Sequence, residues 1–200
     1  MANFVYLASQ SPRRRQLLEQ LGVQYELLLP DAGEDAEALE LVLSNEAPVA
    51  YVKRVTGLKL NAAVARLARR ELPPAPILCS DTTVALGRTI YGKPDDLHDA
   101  KRMLSELAGR THRVLTAVAV QQGAQRFKAL SSSRVSLEAM TTAQIHAYAV
   151  TGEPLGKAGA YAIQGRVAMH ITRINGSYSG IMGLPLWETA SLLQAAGFEI

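Results

Sequence analysis

The stretch Phe4-Val5-Tyr6-Leu7-Ala8-Ser9-Gln10-Ser11-Pro12-Arg13-Arg14-Arg15 decides how this chain is read. Phe4 to Leu7 is a short apolar run of the kind that forms a buried strand. Beyond it Leu17, Leu18 and Leu21 recur at helical spacing. Pro12 stands where a first helical residue would, and Ser11 is placed to cap free N–H groups. Two hydroxyls, Ser9 and Ser11, and the guanidiniums of Arg13, Arg14 and Arg15 thus gather at a helix N-terminus on a strand's carboxyl end. Such a terminus offers unpaired donors and a positive dipole end, which suits an anion. Arginine adds a planar fork matched to phosphate oxygens. Three like charges where the dipole disfavours cations need compensation, and a polyphosphate would supply it. Solvated arginines on an ordinary helix start are the competing reading of this segment.

Further along, residues 25–29 read as a second strand ended by Pro30. The run 31–46 is acidic, carrying Glu34, Asp35, Glu37, Glu40 and Glu46. Pro48 opens a long helix with Val49, Val52, Val55, Leu60, Val64 and Leu67 on its inner side. A strand from Ile77 runs into Ser80-Asp81-Thr82-Thr83, and a Gly87-Arg88 turn makes a hairpin with Thr89-Ile90-Tyr91. The spacing predicts a helix over 96–107, long strands over 113–120 and 127–137, and a helix opened by a Thr141–Gln144 capping box. Strands near 160–163 and 167–174 are expected next, then a terminal helix from Pro185 that Gly197 ends. This order predicts an α/β fold with a mixed sheet.

Composition narrows the partners. A chain of 200 residues, 48% apolar and 20% charged, is expected to form one soluble domain. The net charge is +3 and the basic residues are spread along the chain, which disfavours nucleic acid as a partner. The single cysteine, Cys79, excludes an internal disulfide framework and reads as a buried inert thiol. With no signal peptide and no run near the ~20 apolar residues of a membrane span, a cytoplasmic protein without a membrane partner is expected.

Asp81 is the second centre of chemistry. It is expected at the carboxyl end of an apolar strand, the edge where open α/β sheets bind ligands. Lys93 follows in Tyr91-Gly92-Lys93-Pro94. An acid, a lysine and an arginine-rich helix start on neighbouring edges suit a metal–triphosphate complex, though each alone could be ordinary turn chemistry. Gly152-Glu153-Pro154-Leu155-Gly156-Lys157-Ala158 is not a P-loop: three residues separate the glycines, and alanine replaces the hydroxyl that would hold magnesium. It reads as a turn leading to Tyr161-Ala162-Ile163-Gln164-Gly165, where the Gln164 amide can read a base edge as donor and acceptor. His98, His112, His146 and His170 lack metal-ligand spacing. His112 is read as supporting a loop.

Taken in order, these pieces resemble the Maf family of nucleoside triphosphate pyrophosphatases. The matching motifs are Leu7-Ala8-Ser9-Gln10-Ser11-Pro12-Arg13-Arg14, Tyr51-Val52-Lys53-Arg54 with Lys59, Ser80-Asp81-Thr82 and Gly92-Lys93-Pro94. Gly109-Arg110-Thr111-His112, Lys157-Ala158-Gly159-Ala160-Tyr161 and the run from Ile174-Asn175-Gly176-Ser177-Tyr178 to Gly183-Leu184-Pro185-Leu186 complete them. The resemblance implies a mixed, elongated central sheet flanked by helices, with two lobes around a deep cleft. It is similar in that respect to the inosine triphosphate pyrophosphatase fold.

The resemblance also implies hydrolysis between the α- and β-phosphates of a nucleoside triphosphate, with Mg2+ or Mn2+ as cofactor, by a homodimer. Asp81 would be the base or a metal ligand, and Glu34 would complete the metal or water site. Arg14, Lys59 and Lys93 would neutralise phosphate charge, and Ser9 with the helix terminus would hold a phosphate. Two departures stand out. The family's Asp-x-Asp-Glu is Asp31-Ala32-Gly33-Glu34 here, one carboxylate short, and its Glu-Lys-Ala is Leu58-Lys59-Leu60. Three positions separate two family patterns. Trp, Gln and Glu accompany methylated guanine nucleotides such as 7-methyl-GTP, whereas Arg, Thr and Gln accompany dTTP and UTP. Arg13, Thr82 and Gln164 match the second set. The rival reading is a nucleotide-binding regulator of septum formation with little catalysis.

Overall fold

A computed structural model describes residues 3–35 and 38–200, so Glu37 of the acidic run lies outside the described residues. Strand β1 (Val5–Leu7) feeds helix α1 (Pro12–Gln20) and returns as β2 (Tyr25–Leu27). A 3-10 turn at Ala38–Glu40 precedes the long helix α2 (Pro48–Arg69). Strand β3 (Ile77–Leu86) turns into β4 (Thr89–Tyr91), followed by helix α3 (Leu97–Leu107) and the long hairpin of β5 (Thr111–Gln122) and β6 (Gln125–Leu137). Helix α4 (Thr142–Ala149), strand β7 (Ile171–Asn175), the short helix α5 (Tyr178–Met182) and helix α6 (Leu186–Ala195) complete the chain. The sheet has seven strands in the order β2-β1-β3-β5-β6-β7, with β4 also on β3. Its β2-β1-β3 part is parallel and the rest antiparallel, the mixed α/β arrangement expected.

Strand alternation sorts the core into two faces. On one, Cys79, Leu115, Ala117 and Ala119 pack with Val52, Val55, Leu60 and Ala63 of α2. On the other, Leu78, Val114, Val118 and Val120 meet the remaining helices. Cys79 is fully buried there, and burial pushes its thiol up to about 12, so it stays protonated and inert.

Three local expectations need correcting. Asp81 does not end its strand: β3 continues to Leu86 because β5 pairs with it along nearly its whole length. Residues 160–163 are not a strand. Their backbone bonds close on themselves (Ala160 N–H to Lys157 O, 3.0 Å; Gly165 N–H to Ala162 O, 2.9 Å) instead of joining a ladder. The strand expected over 167–174 holds only from Ile171, where β7 begins; its first residues belong to a 3-10 turn, Arg166–His170.

Candidate active site

The site follows from a gap in the sheet. β1 pairs with β3 only at Tyr6–Ile77 and Leu7–Leu78, and β4 takes up the same edge only from Val84. Among the described residues, Cys79–Thr83 therefore have a strand neighbour on the β5 side alone. Asp81 sits in that gap, just past the carboxyl end of β1, so the expected location holds although the strand runs on. A cavity of about 600 Å3 opens there and is lined by side chains from both faces of the sheet. It brings together Ser9, Ser11, Arg13, Arg14, Glu34, Lys59, Asp81, Thr82, Lys93 and Gln164. These ten residues singled out in the sequence thus line one cavity, and Arg15 does not.

On the α2 face, buried Asp81 meets Lys59, whose Nζ lies 2.5 Å from Asp81 Oδ1 and 2.7 Å from Glu40 Oε1. Lys93 Nζ lies 3.0 Å from each Glu40 oxygen. Burial pushes the Glu40 carboxyl up, but the two lysines outweigh it and hold it below the usual range. Glu40 is itself fixed by its backbone, since the Tyr51 hydroxyl donates to Glu40 O at 2.9 Å. Arg54 steadies the segment beyond, donating to Glu46 and to Leu41 O. The sequence reading did not single out Glu40. Its signal was only one carboxylate among several in the acidic run.

Glu34 lines the same cavity, but its oxygens go elsewhere. Arg66, buried on α2, donates from Nε (3.1 Å) and Nη2 (2.5 Å) to the two Glu34 oxygens and from Nη1 to Leu28 O. Arg69 adds a further bond to Glu34, and Arg69 and Arg70 both pair with Asp31. Arg66 and Arg69 hold the Glu34 carboxyl down to about 2. The structure thus pairs Asp81 through Lys59 with Glu40, not with the Glu34 named beside it in the expected metal pair. Among the described residues no three Asp, Glu, His or Cys come together as a ready metal cage. The helical stripe Tyr51, Lys59, Ala62, Arg66 carries much of this wall. Stepping along α2 from Lys59 would have found Arg66.

On the opposite face Arg14 is the organiser. Its Nε donates to Gly183 O at 2.8 Å, Nη1 to Ser9 Oγ at 3.2 Å and Nη2 to Thr82 Oγ1 at 3.5 Å. Arg13 Nε reaches Met182 O at 3.3 Å. Carbonyls of the α5 end therefore supply the compensation these cations need at a helix N-terminus. Burial lowers the Arg14 pKa while Asp81 opposes the shift. Gly183 has φ 120°, and a Cβ there would stand 3.5 Å from Arg14 Nε and 3.6 Å from Thr82 Oγ1. Ser11 makes no side-chain cap. Instead Ser9 Oγ accepts the Ser11 N–H at 3.2 Å, because Ser9 is the buried hydroxyl at the turn. Thr116 Oγ1 donates to Gly180 O at 2.7 Å and lies 3.0 Å from Thr82 Oγ1, so the Thr82 proton points to Thr116.

The remaining wall is the segment from Gly156 to Gln164. The Gly159 N–H donates to Gly92 O at 3.0 Å and ties it to the loop bearing Lys93. The buried ring of His112 lies 2.7 Å, through Nε2, from the Tyr161 hydroxyl, and burial holds its pKa down to about 4. The sequence suggested that His112 supports a loop, and the structure adds that it does so as a neutral ring. Gln164 is exposed on the cavity wall.

This assembly can be set beside known proteins. The family model described as Maf-like protein matches residues 4–196. The chain belongs to the Maf family. This Maf protein is 69% identical over 199 residues to the dTTP/UTP pyrophosphatase of Polaromonas sp. (strain JS666), covering 100% of this chain and 98% of that one. It is 67% identical to the dTTP/UTP pyrophosphatase of Albidiferax ferrireducens, with 100% of both chains covered. Among solved structures the Ham1 protein of Staphylococcus aureus is similar at TM-score 0.35 and 11% identity, over 67% of this chain and 70% of that one. That likeness is too slight to argue from. Among the described residues no helix of this Maf protein is long and apolar enough to cross a membrane.

Proposed function

We propose that this chain hydrolyses dTTP and UTP to the nucleoside monophosphate and pyrophosphate. The observation that carries the reading is the juxtaposition, in one cavity, of the Asp81–Lys59 pair, Lys93 and the arginine-bearing start of α1. Relatives of full length and high identity bear this activity in their names. Asp81 takes the proton of the water that attacks the α-phosphorus, and the α–β anhydride oxygen leaves with pyrophosphate. Lys59 and Lys93 exchange Glu40 for phosphate oxygens and neutralise the charge that develops there. Ser9, the free N–H groups of α1 and the unused donors of Arg14 hold the rest of the triphosphate. Arg13, Thr82 and Gln164 face the base, with Gln164 matching its carbonyl and N3–H edge. The reading includes a cytoplasmic homodimer, on the family resemblance alone.

The donor set fits a magnesium or manganese ion. Its oxygens are hard carboxylates, and such ions bind through one or two of these plus substrate phosphates, without an all-protein cage. Thr83 Oγ1, on the same strand face as Asp81, is buried against the cavity with no partner among the described residues, so a hydrated guest has a polar contact waiting. The alternative role of Asp81 would be to hold this ion, with Glu34 as the second oxygen source. When bound it would supply charge neutralisation and acidify water. A nucleotide panel with magnesium tests the reading, scored for pyrophosphate. We expect dTTP and UTP to lead; orthophosphate as sole product, or 7-methyl-GTP as the better substrate, would reject it.

A further inference from the structure

Gln164 sits at the centre of a β-turn, Ala162-Ile163-Gln164-Gly165, closed by the Gly165 N–H donating to Ala162 O at 2.9 Å. Both ends of this turn are held from outside the cavity by one pair of side chains. Glu153, which is not part of the cavity wall, accepts the Arg166 N–H at 3.1 Å with each of its oxygens. Its Oε1 also accepts the Tyr148 hydroxyl at 2.8 Å, and that hydroxyl in turn meets the Ala162 backbone. Tyr148 is buried on α4, whose first turn is locked by the Thr141–Gln144 capping box. A fixed helix thus reaches through a phenol and a carboxylate to residues 162 and 166, bracketing the Gln164 tip.

Gly165 fits this reading. Its φ of −93° is open to any residue, so conformation does not require glycine. Space does: a Cβ there would lie 1.9 Å from Glu153 Oε1 and 2.5 Å from its Cδ. A carboxylate at the end of a flexible side chain could normally step aside. This one can do so only by giving up Tyr148 and Arg166. We propose that Glu153, steadied by Tyr148, is a positioning residue that sets base preference by fixing the turn that carries Gln164. The proposal rests on the reading of Gln164 as the base-reading side chain.

The test compares kcat/KM for dTTP with that for dGTP, and takes the Ki of inorganic tripolyphosphate as a readout of the phosphate site alone. Glu153→Ala is expected to lower the dTTP-to-dGTP ratio about tenfold and leave the tripolyphosphate Ki within about twofold of its starting value. Glu153→Gln keeps one acceptor and should fall between. Gly165→Ala should lower the ratio as Glu153→Ala does, and the double variant should lose nothing more, because the two changes break one contact. Should Glu153→Ala fail to fold, Glu153→Gln and Tyr148→Phe carry the same comparison. An unchanged ratio, a parallel loss in ratio and tripolyphosphate binding, or additive losses in the double variant would each overturn the proposal. Gln164→Ala separates the two layers. If it leaves the ratio alone, base reading by Gln164 fails and takes this inference with it. If it lowers the ratio and Glu153→Ala does not, only the role of Glu153 falls.

Discussion

Replacing Asp81 with asparagine removes one charge and one basic oxygen while keeping the side chain's volume. The Asp81 side chain is 9% exposed and its oxygen lies 2.5 Å from Lys59 Nζ. Breaking a buried ion pair costs about 3–5 kcal/mol when the surviving charge is left alone. Lys59 is not left alone, because Glu40 remains 2.7 Å away. Destabilisation of about 1–2 kcal/mol is therefore expected, a fall of a few degrees in Tm for a chain of this size. Lys59→Met should cost more, since it strands the buried Asp81 carboxylate, while Glu40 keeps Lys93 and Asp81→Asn strands no charge at all. Turnover responds on a different scale: loss of the group that takes the proton should lower kcat roughly 10²-fold or more. The assay is pyrophosphate release at saturating dTTP and magnesium, with thermal unfolding on the same preparation. A folded Asp81→Asn variant with near-normal kcat would refute the assignment, as would a Lys59→Met variant more stable than Asp81→Asn.

Glu40 occupies the ammonium groups that the triphosphate needs, so Glu40→Gln should lower KM for dTTP about three- to tenfold with kcat little changed; a fall in kcat with unchanged KM would make Glu40 part of the chemistry instead. Glu34 has a folded pKa of about 2 against an ordinary 4.5. Its contribution to stability is complete above about pH 4.5 and disappears as the pH falls through about 2. Urea midpoints measured across that window should slope downward toward acid, and Glu34→Gln should flatten the slope; an identical slope in the variant would contradict the Arg66 clamp.

Much of the fold was legible because its signals are local. The Pro12 and Pro48 helix starts, the Thr141–Gln144 capping box and the alternation of the long hairpin all appear where periodicity placed them. Residues 160–163 misled for a physical reason. Tyr161 and Ile163 alternate with smaller neighbours as strand residues do, but the alternation serves a wall of the cavity, and among the described residues no strand pairs with it. The short helix α5 was hidden because its five residues include a glycine and give too little length for a helical period. It is held by its own cap, Ser177 Oγ accepting the Gly180 N–H, and by tertiary contacts such as the Thr116 hydroxyl donating to Gly180 O.

The cavity shows the same division more sharply. Residues that stand beside the ends of regular elements, such as Ser9, Arg14 and Lys93, could be singled out because motif and element boundary coincide, whereas Asp81 lies inside β3 and the boundary beside it is the end of β1. What could not be read is which charge answers which. Arg14 looked like a cation awaiting an anion, yet Gly183 and Met182 turn carbonyls toward the arginines from some 170 residues away in sequence, a separation no local pattern encodes. Glu34 and Glu40 lie in one acidic run, and only the placement of α2 decides that Arg66 takes the first and Lys59 the second. The helix has one cationic stripe, with Lys59 about two turns before Arg66, so the two acids are held about that far apart along its axis. The carboxylate nearest the reacting group is thus chosen by helix geometry. The loss of an acid at Gly33 therefore need not empty the site of negative charge, because Glu40 brings a carboxylate to Lys59 from further along the chain.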